Sequence, residues 1–525
     1  MKTFRLFSMA ALALMMAACS SEDNALETAS PAMPGKLQFT ATVEAPGSGA
    51  TTRTEYKTDT DDESKPIIKV AWKENDEIAA IVTNSEGKLV KTVLKVSKVN
   101  DNGSAVISGD ITKPKDDALT VDLIYPEDIV TVAADGSGYS ISFEKMRDGS
   151  TLDGTLDKIA ANIDYRRADA CPLTVSGDKA TLTIAAKLVS KLSIWKLTLQ
   201  DEVGNALSAS KVSIADGAGV MASATLATAG STAYLPVLAA TGNICISATT
   251  ADNDYFYMKE GVTLAEKKYY QSEVKMTKGA HLAFLSADYE AKDGETLTGK
   301  LGNNVKISIA AGATVKLKNV QINQDWDWHS GDYAGITCAG DATITLDGMN
   351  KVMGFNENYP AIQVPSGNTL TINGDGRLYA FSAGSGAGIG GCYNESKESN
   401  KNCGNIDIKG GEIMAHGGFR AAGIGGGYKG TCGNIEISGG RIIAQGGPEA
   451  AGIGSGASGS CNNITITSGV TGVEAMASHA QSIGKGAEGS CGTVTIDGVV
   501  NPDASSTFTN FNFEAYGDTW RLTHK

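Results

Sequence analysis

Between Cys403 and Gly498 the chain repeats itself almost line by line. Cys403-Gly-Asn-Ile-Asp-Ile-Lys-Gly-Gly recurs as Cys432-Gly-Asn-Ile-Glu-Ile-Ser-Gly-Gly, then as Cys461-Asn-Asn-Ile-Thr-Ile and Cys491-Gly-Thr-Val-Thr-Ile-Asp-Gly. Successive cysteines are 29, 29 and 30 residues apart. A fixed period of this size, with short apolar alternations between glycines, marks one supersecondary unit stacked on copies of itself. Ile406 and Ile408 flank Asp407, so two side chains go to one face and one to the other. A helical repeat would place apolar residues three and four apart, and these are two apart. Each period holds three short strands and three glycine-rich corners, which describes one coil of a parallel β-helix.

Inward positions of such a coil stack in columns. The reading expects Ile344, Leu370, Ile406, Ile435, Ile464 and Val494 in one, and Leu346, Ile372, Ile408, Ile437, Ile466 and Ile496 in its neighbour. The third leg gives Ile336, Ile362, Ile389, Ile424, Ile453 and Ile483, with steps of 26, 27, 35, 29 and 30. The long step carries a polar loop at 393–402, and loops inserted into one repeat of a solenoid often lie on the working face. The β-helix is expected over 280–500, with the aromatic tail 501–525 as a cap over backbone edges that would otherwise pair with other chains.

Residues 1–18 read as a processing signal. Lys2 and Arg5 precede an apolar run, and Met16-Ala-Ala-Cys19 has the small residues expected before a cleavage point. That sequence resembles the bacterial lipobox, which implies a lipidated Cys19 as the only membrane attachment, because the apolar run is too short for a mature span. Loss of the signal leaves 43 basic residues against 59 acidic, a formal charge of −16. Such a balance argues against nucleic acid and against electrostatic adhesion to anionic lipid. Ser20-Ser-Glu-Asp-Asn24 resembles the acidic export signal of lipoproteins displayed outside the outer membrane of Bacteroidetes. The expected location is therefore the outer membrane, lipid-anchored and facing outward, with 19–35 as a flexible tether.

From Leu37 onward short alternating strands are divided by turn signals such as Asp101-Asn-Gly103, the pattern of antiparallel sandwiches. Phe39-Thr-Ala-Thr42, Thr52-Arg-Thr54, Val70-Ala-Trp72 with Asp76-Glu-Ile78, and Ile124-Tyr-Pro126 resemble the start of fimbrillin-like proteins, the pilin and pilus-tip lipoproteins of Bacteroidetes. The resemblance implies two tandem transthyretin-like sandwiches, near 36–150 and 165–277. It also makes Arg53 a candidate protease-processing site and other fimbrial subunits candidate partners. The glycine-rich coils resemble a β-helix module of Bacteroides surface lipoproteins that is often called carbohydrate-binding. The fold class expected is thus all-β: two sandwiches followed by a parallel β-helix.

No cofactor is implied. Gly423-Ile-Gly425-Gly-Gly lacks the following helix that a phosphate site needs, so its glycines read as corners. The cysteine ladder reads as buried small side chains or as disulfides, and it has no interleaved histidine or carboxylate for a metal. Asp407 and Glu436 would suit a retaining glycosidase pair, but Thr345, Thr371, Thr465 and Thr495 occupy the equivalent positions, as on an ordinary solvated strand. No catalytic residue is assigned. For binding, Asp325-Trp326-Asp327-Trp328 sets aromatic faces beside carboxylates, as a sugar ring requires. A second candidate is an outward stripe of Tyr379, Met414 and Ile443 beside Phe381, His416 and Gln445. The expected function is a surface adhesin or glycan-binding protein, with a polysaccharide-active enzyme and a structural pilus subunit as the competing classes.

Overall fold

The computed structural model describes residues 35–45, 57–60, 66–69, 71–116, 118–302, 304–323 and 331–525. The signal and tether, Cys19, Arg53, Asp325, Trp326, Asp327 and Trp328 lie outside the described residues.

The first unit is a sheet that closes on itself. Lys36–Val43 pairs with Ala105–Thr112, and the ladder continues through Leu89–Val99, Glu77–Thr83, Thr120–Tyr125, Arg166–Ser176 and Lys179–Leu182. It returns to the first strand by the parallel pairs Gln38↔Lys179 and Phe39↔Ala180. The boundary expected at 165 therefore moves. Strands at 166–182 belong to the first unit, where Leu173, Ala180 and Leu182 share a core with Phe39, Trp72 and Ile107. Local alternation cannot reveal this, because the strands that tie this hairpin into the first sheet, Thr120–Tyr125 and Lys36–Val43, lie more than 40 residues away in sequence.

The second unit faces two sheets across one core. Ser193–Gln200 lies between Thr232–Val237 and Tyr269–Lys275. Ala209–Asp216 lies between Gly219–Gly230 and Ala240–Thr249, with Asp254–Leu264 beyond. The two units are not beads on a string. Ile78, Ala80 and Val82 point into the first core, while Ala79 and Ile81 between them join the second. Ile129, Met146, Ile159 and Ile163, from the segment between the first unit's strands Thr120–Tyr125 and Arg166–Ser176, complete that second core. A strand buried on both faces reads as a continuous apolar run, which is what residues 78–82 are.

Hydrogen bonding then passes unbroken into the solenoid. Thr277–His281 pairs antiparallel with the sandwich strand at Tyr255 and Phe256, and parallel with Thr296–Lys300 of the first coil. Beyond it the legs stack parallel, with register shifts only at Thr298/Gly299 and Gln445/Pro448 among the described residues. The column expected through Ile344 is corrected by two residues: Ile344 pairs with Ile372, and Ala342 with Leu370. The columns are thus Ala342, Leu370, Ile406, Ile435, Ile464, Val494 and Ile344, Ile372, Ile408, Ile437, Ile466, Ile496. Thr343, not Thr345, occupies the position of Asp407. The first-leg step here is 28 residues, from Ala342 to Leu370, against 26 on the third leg from Ile336 to Ile362, so sequence spacing alone misaligned it. Third-leg isoleucines stack as read.

Glycine at the end of that third leg has a physical cause. Gly390, Gly425 and Gly454 share φ of +137°, +131° and +138°. A Cβ on any of them would sit within about 2.0 Å of a carbonyl oxygen in the next coil. The cysteine ladder is a fourth, two-residue rung, with Cys432↔Cys461 and Cys461↔Cys491 paired. These cysteines are free, and the sulfur of Cys432 lies against that of Cys403. At the far end Thr519–His524 pairs antiparallel with the last coil, and Phe508, Phe511 and Leu522 close the core.

Candidate functional site

Two faces of the solenoid gather chemistry. The first is the outer side of the second leg. Its strands are Arg377–Phe381, Glu412–His416 and Arg441–Pro448, paired in register, so alternate residues form outward columns. Tyr379, Met414 and Ile443 form one; Phe381, His416 and Gln445 form the next. Tyr379 and Phe381 are half-buried, and the Phe381 and His416 rings stack at 5.8 Å and 27°. Burial holds the His416 imidazole below its ordinary value. A third column edges the stripe with charge: Glu412 takes Arg377 Nε at 2.7 Å and Arg441 Nη1 at 3.2 Å. The result is a flat apolar strip with a polar margin, spaced by the sheet at about 4.8 Å.

The second face lies at the corners around the inserted loop. Tyr393 and Tyr428 stack at 5.4 Å with planes 10° apart. The Arg420 guanidinium lies over Tyr428 at 5.4 Å and over Phe419 at 5.3 Å, donates to Tyr428 Oη at 3.1 Å, and pairs with Glu449 at 2.7 Å. Lys429 pairs with Glu395 at 2.6 Å, and Tyr393 Oη donates to the same carboxylate. Held first by Lys429, Glu395 sits below the usual carboxylate range, and its hydrogen bond pushes the Tyr393 phenol up. Arg420 and Lys429 adopt positive φ of 61° and 59° without being glycine. The same conformation recurs at the equivalent corners, Glu449 and His479 for Arg420 and Ser458 and Glu488 for Lys429, so it belongs to the coil geometry.

Sequence reading found the stripe because its members alternate along a strand. It missed Arg420 and Tyr428, having read their stretch as corner glycines, and the 35-residue step was the signal that pointed to this side. Asp407 and Glu436 are register neighbours, as their spacing implied, and Asp407 pairs with Lys409 at 3.0 Å. Among the described residues no group of three metal-ligating side chains comes together, and no helix is long and apolar enough to cross a membrane.

A family model described as a beta helix repeat matches residues 370–391, 406–428 and 435–457. Among solved structures, the chain is similar to a candidate cell-adhesion protein of Bacteroides uniformis, at 16% identity and TM-score 0.26, over 46% of this chain and 94% of that one. A fimbrial protein of Bacteroides ovatus matches at 13% identity and TM-score 0.23, over 46% and 48%. The tip fimbrial protein of Porphyromonas gingivalis matches at 11% identity and TM-score 0.22, over 46% and 95%. A search of curated proteins finds no match. The chain is thus similar to fimbrial and adhesion proteins and carries β-helix repeats, the two resemblances read from its residues. At these identities and TM-scores the structural likeness carries no argument about ligand or partner.

Proposed function

We propose that this chain is a lipid-anchored surface adhesin whose β-helix binds glycan. The observation that carries the reading is the strip on the second leg, where Tyr379, Phe381 and His416 stand half-exposed in register on a solvated solenoid. A solenoid serving only as a spacer would carry polar residues there, since an exposed apolar stripe costs solubility and marks a contact surface. Flat aromatic faces at strand spacing suit the C–H faces of successive sugar rings, with the Arg377–Glu412–Arg441 margin for hydroxyls. Trp326 and Trp328, with Asp325 and Asp327, remain the second proposed contact. Cys19 is the proposed anchor, and the outer surface of the outer membrane the proposed location.

Glycan-array binding of the full mature chain tests the reading. Alanine at both Tyr379 and Phe381 should weaken binding about tenfold or more, because energy concentrates in a few aromatic anchors. Its melting temperature should stay nearly unchanged; a large loss would make these residues packing groups and sink the assignment. Retained membrane association of Cys19→Ser would remove the anchor.

A second reading, as a polymerising fimbrial subunit, draws on the first strand. Lys36–Val43 lies between Lys179–Leu182 and Ala105–Thr112, so a cut after Arg53 would detach the strand from the following chain and let it leave a groove. An arginine-specific protease that leaves Arg53 intact in the mature protein would exclude it.

A further inference from the structure

We propose that the cleft beside the 393–402 insertion binds one neutral sugar residue of a glycan, with Tyr393 as its stacking platform; this rests on the glycan-binding reading above but not on the second-leg strip. Neighbouring coils turn this corner without the extra residues, so the insertion is not needed to close the solenoid. It is nonetheless tightly built. Asn394, only 1% exposed, donates to Glu398 O at 2.9 Å and to Asn402 Oδ1 at 2.7 Å, and its own Oδ1 accepts from Glu398 N at 2.8 Å. Order of this kind in a dispensable loop calls for a purpose beyond packing.

The loop and the preceding coil enclose a cleft of about 480 Å³, lined by Asp332, Asn358, Tyr359, Tyr393, Glu395 and Lys401 among others. That lies within the ~300–1,000 Å³ of small-molecule sites. Tyr428 stacks on one face of Tyr393 and does not itself line the cleft, which Tyr393 does. Its hydroxyl donates to Glu395, which in turn pairs with Lys429. The lining also holds Asp332, whose carboxylate accepts from Asn356 Nδ2 at 2.7 Å, and Asn358, whose backbone N–H donates to Asn356 Oδ1 at 2.9 Å. One aromatic face with planar amides and carboxylates around it fits a ring that has one apolar face and a rim of hydroxyls.

Charge selects within that class. Asp332 and Glu395 bring two carboxylates to the lining, and the ammonium of Lys401 is already matched by Glu398 at 3.2 Å. A uronate or sialate would bring a third negative charge into a protein that is already strongly acidic. Neutral hexoses meet no such cost.

Titration calorimetry on the mature full-length protein would use neutral oligosaccharides of glucose, mannose and galactose against oligogalacturonides. A neutral oligosaccharide should bind, with Tyr393→Ala weakening it about tenfold or more and Tyr393→Phe changing it less than about threefold. Shortening 394–401 to the length of the next coil's corner should abolish this binding while the solenoid still melts as in the wild type. Binding that survives both changes in a folded protein overturns this site and leaves the strip standing. Failure of every sugar to bind the wild type overturns both, and preference for the oligogalacturonides overturns the neutral assignment.

Discussion

The sandwiches and the solenoid solve the same burial problem by different bookkeeping. In the solenoid each residue finds its partner one coil away, so Ile408 sits between Ile372 and Ile437 and the neighbours can be read by counting. In the sandwiches the partner is set by topology: Gln38 pairs with Lys179, and Glu77–Thr83 serves two cores at once. Periodic stacking makes a region legible and locally coupled. Closure by distant strands makes it cooperative and hard to read.

The sharpest way to break that comparison is a charge in one column. Ile408→Asp puts an uncompensated carboxylate at a fully buried position, so the solenoid should lose roughly 4–5 kcal/mol or more while the sandwich transition persists in calorimetry. Asp407→Thr, one residue away, should shift stability by less than about 1 kcal/mol, since its loss removes only the part-exposed Lys409 pair. Simultaneous loss of both transitions with Ile408→Asp would mean that the continuous sheet at 277–281 makes the molecule one cooperative unit.

The counterpart in the sandwiches is a single buried pair. Asp164 and Arg166 are each about 2% exposed, with Arg166 Nε 2.9 Å from the carboxylate. Removing Asp164 takes a carboxylate from a buried guanidinium, so Asp164→Ala should cost about 3–5 kcal/mol. The double change Asp164→Ala with Arg166→Met should recover most of it. A small effect of Asp164→Ala in chemical denaturation would show that water reaches the guanidinium.

The gentlest probe is pH. All five histidines lie at or beyond 281, outside the sandwich strands. Burial lowers the values of His281 and His416 below 6.5, so the folded solenoid binds fewer protons than the unfolded chain. Stability should therefore be full above pH 6.5 and fall as pH drops below it. Melting scans from pH 7.5 to 5.5 should show the solenoid transition moving down and the sandwich transition holding. His281→Gln with His416→Gln should flatten that slope; an unchanged slope would assign it to the carboxylates instead.

The strip was readable because Tyr379 and Phe381 alternate on a strand whose inward neighbours were already fixed by period. The cleft was not. Asp332, Asn358 and Tyr393 come from three different coils, and no spacing rule relates a corner to an insertion two turns later. Arg420 was hidden for a related reason: its partner Glu449 is one coil on, at a corner whose glycines dominate the pattern.

By itself the sequence determined the solenoid, its handover from sandwich patterning near 280, and the inward and outward faces of each leg, because side-chain alternation and a near-constant repeat are properties of neighbouring residues. Only the tertiary structure decided that strands 166–182 close the first sheet, that residues 78–82 weld two cores together, and that the coil at 342–346 is offset by two residues from its sequence spacing. Those outcomes depend on which distant edges are left unpaired once the nearer strands have formed, and backbone hydrogen bonds that cannot be left unmade in a buried sheet select the partner wherever it lies in the chain.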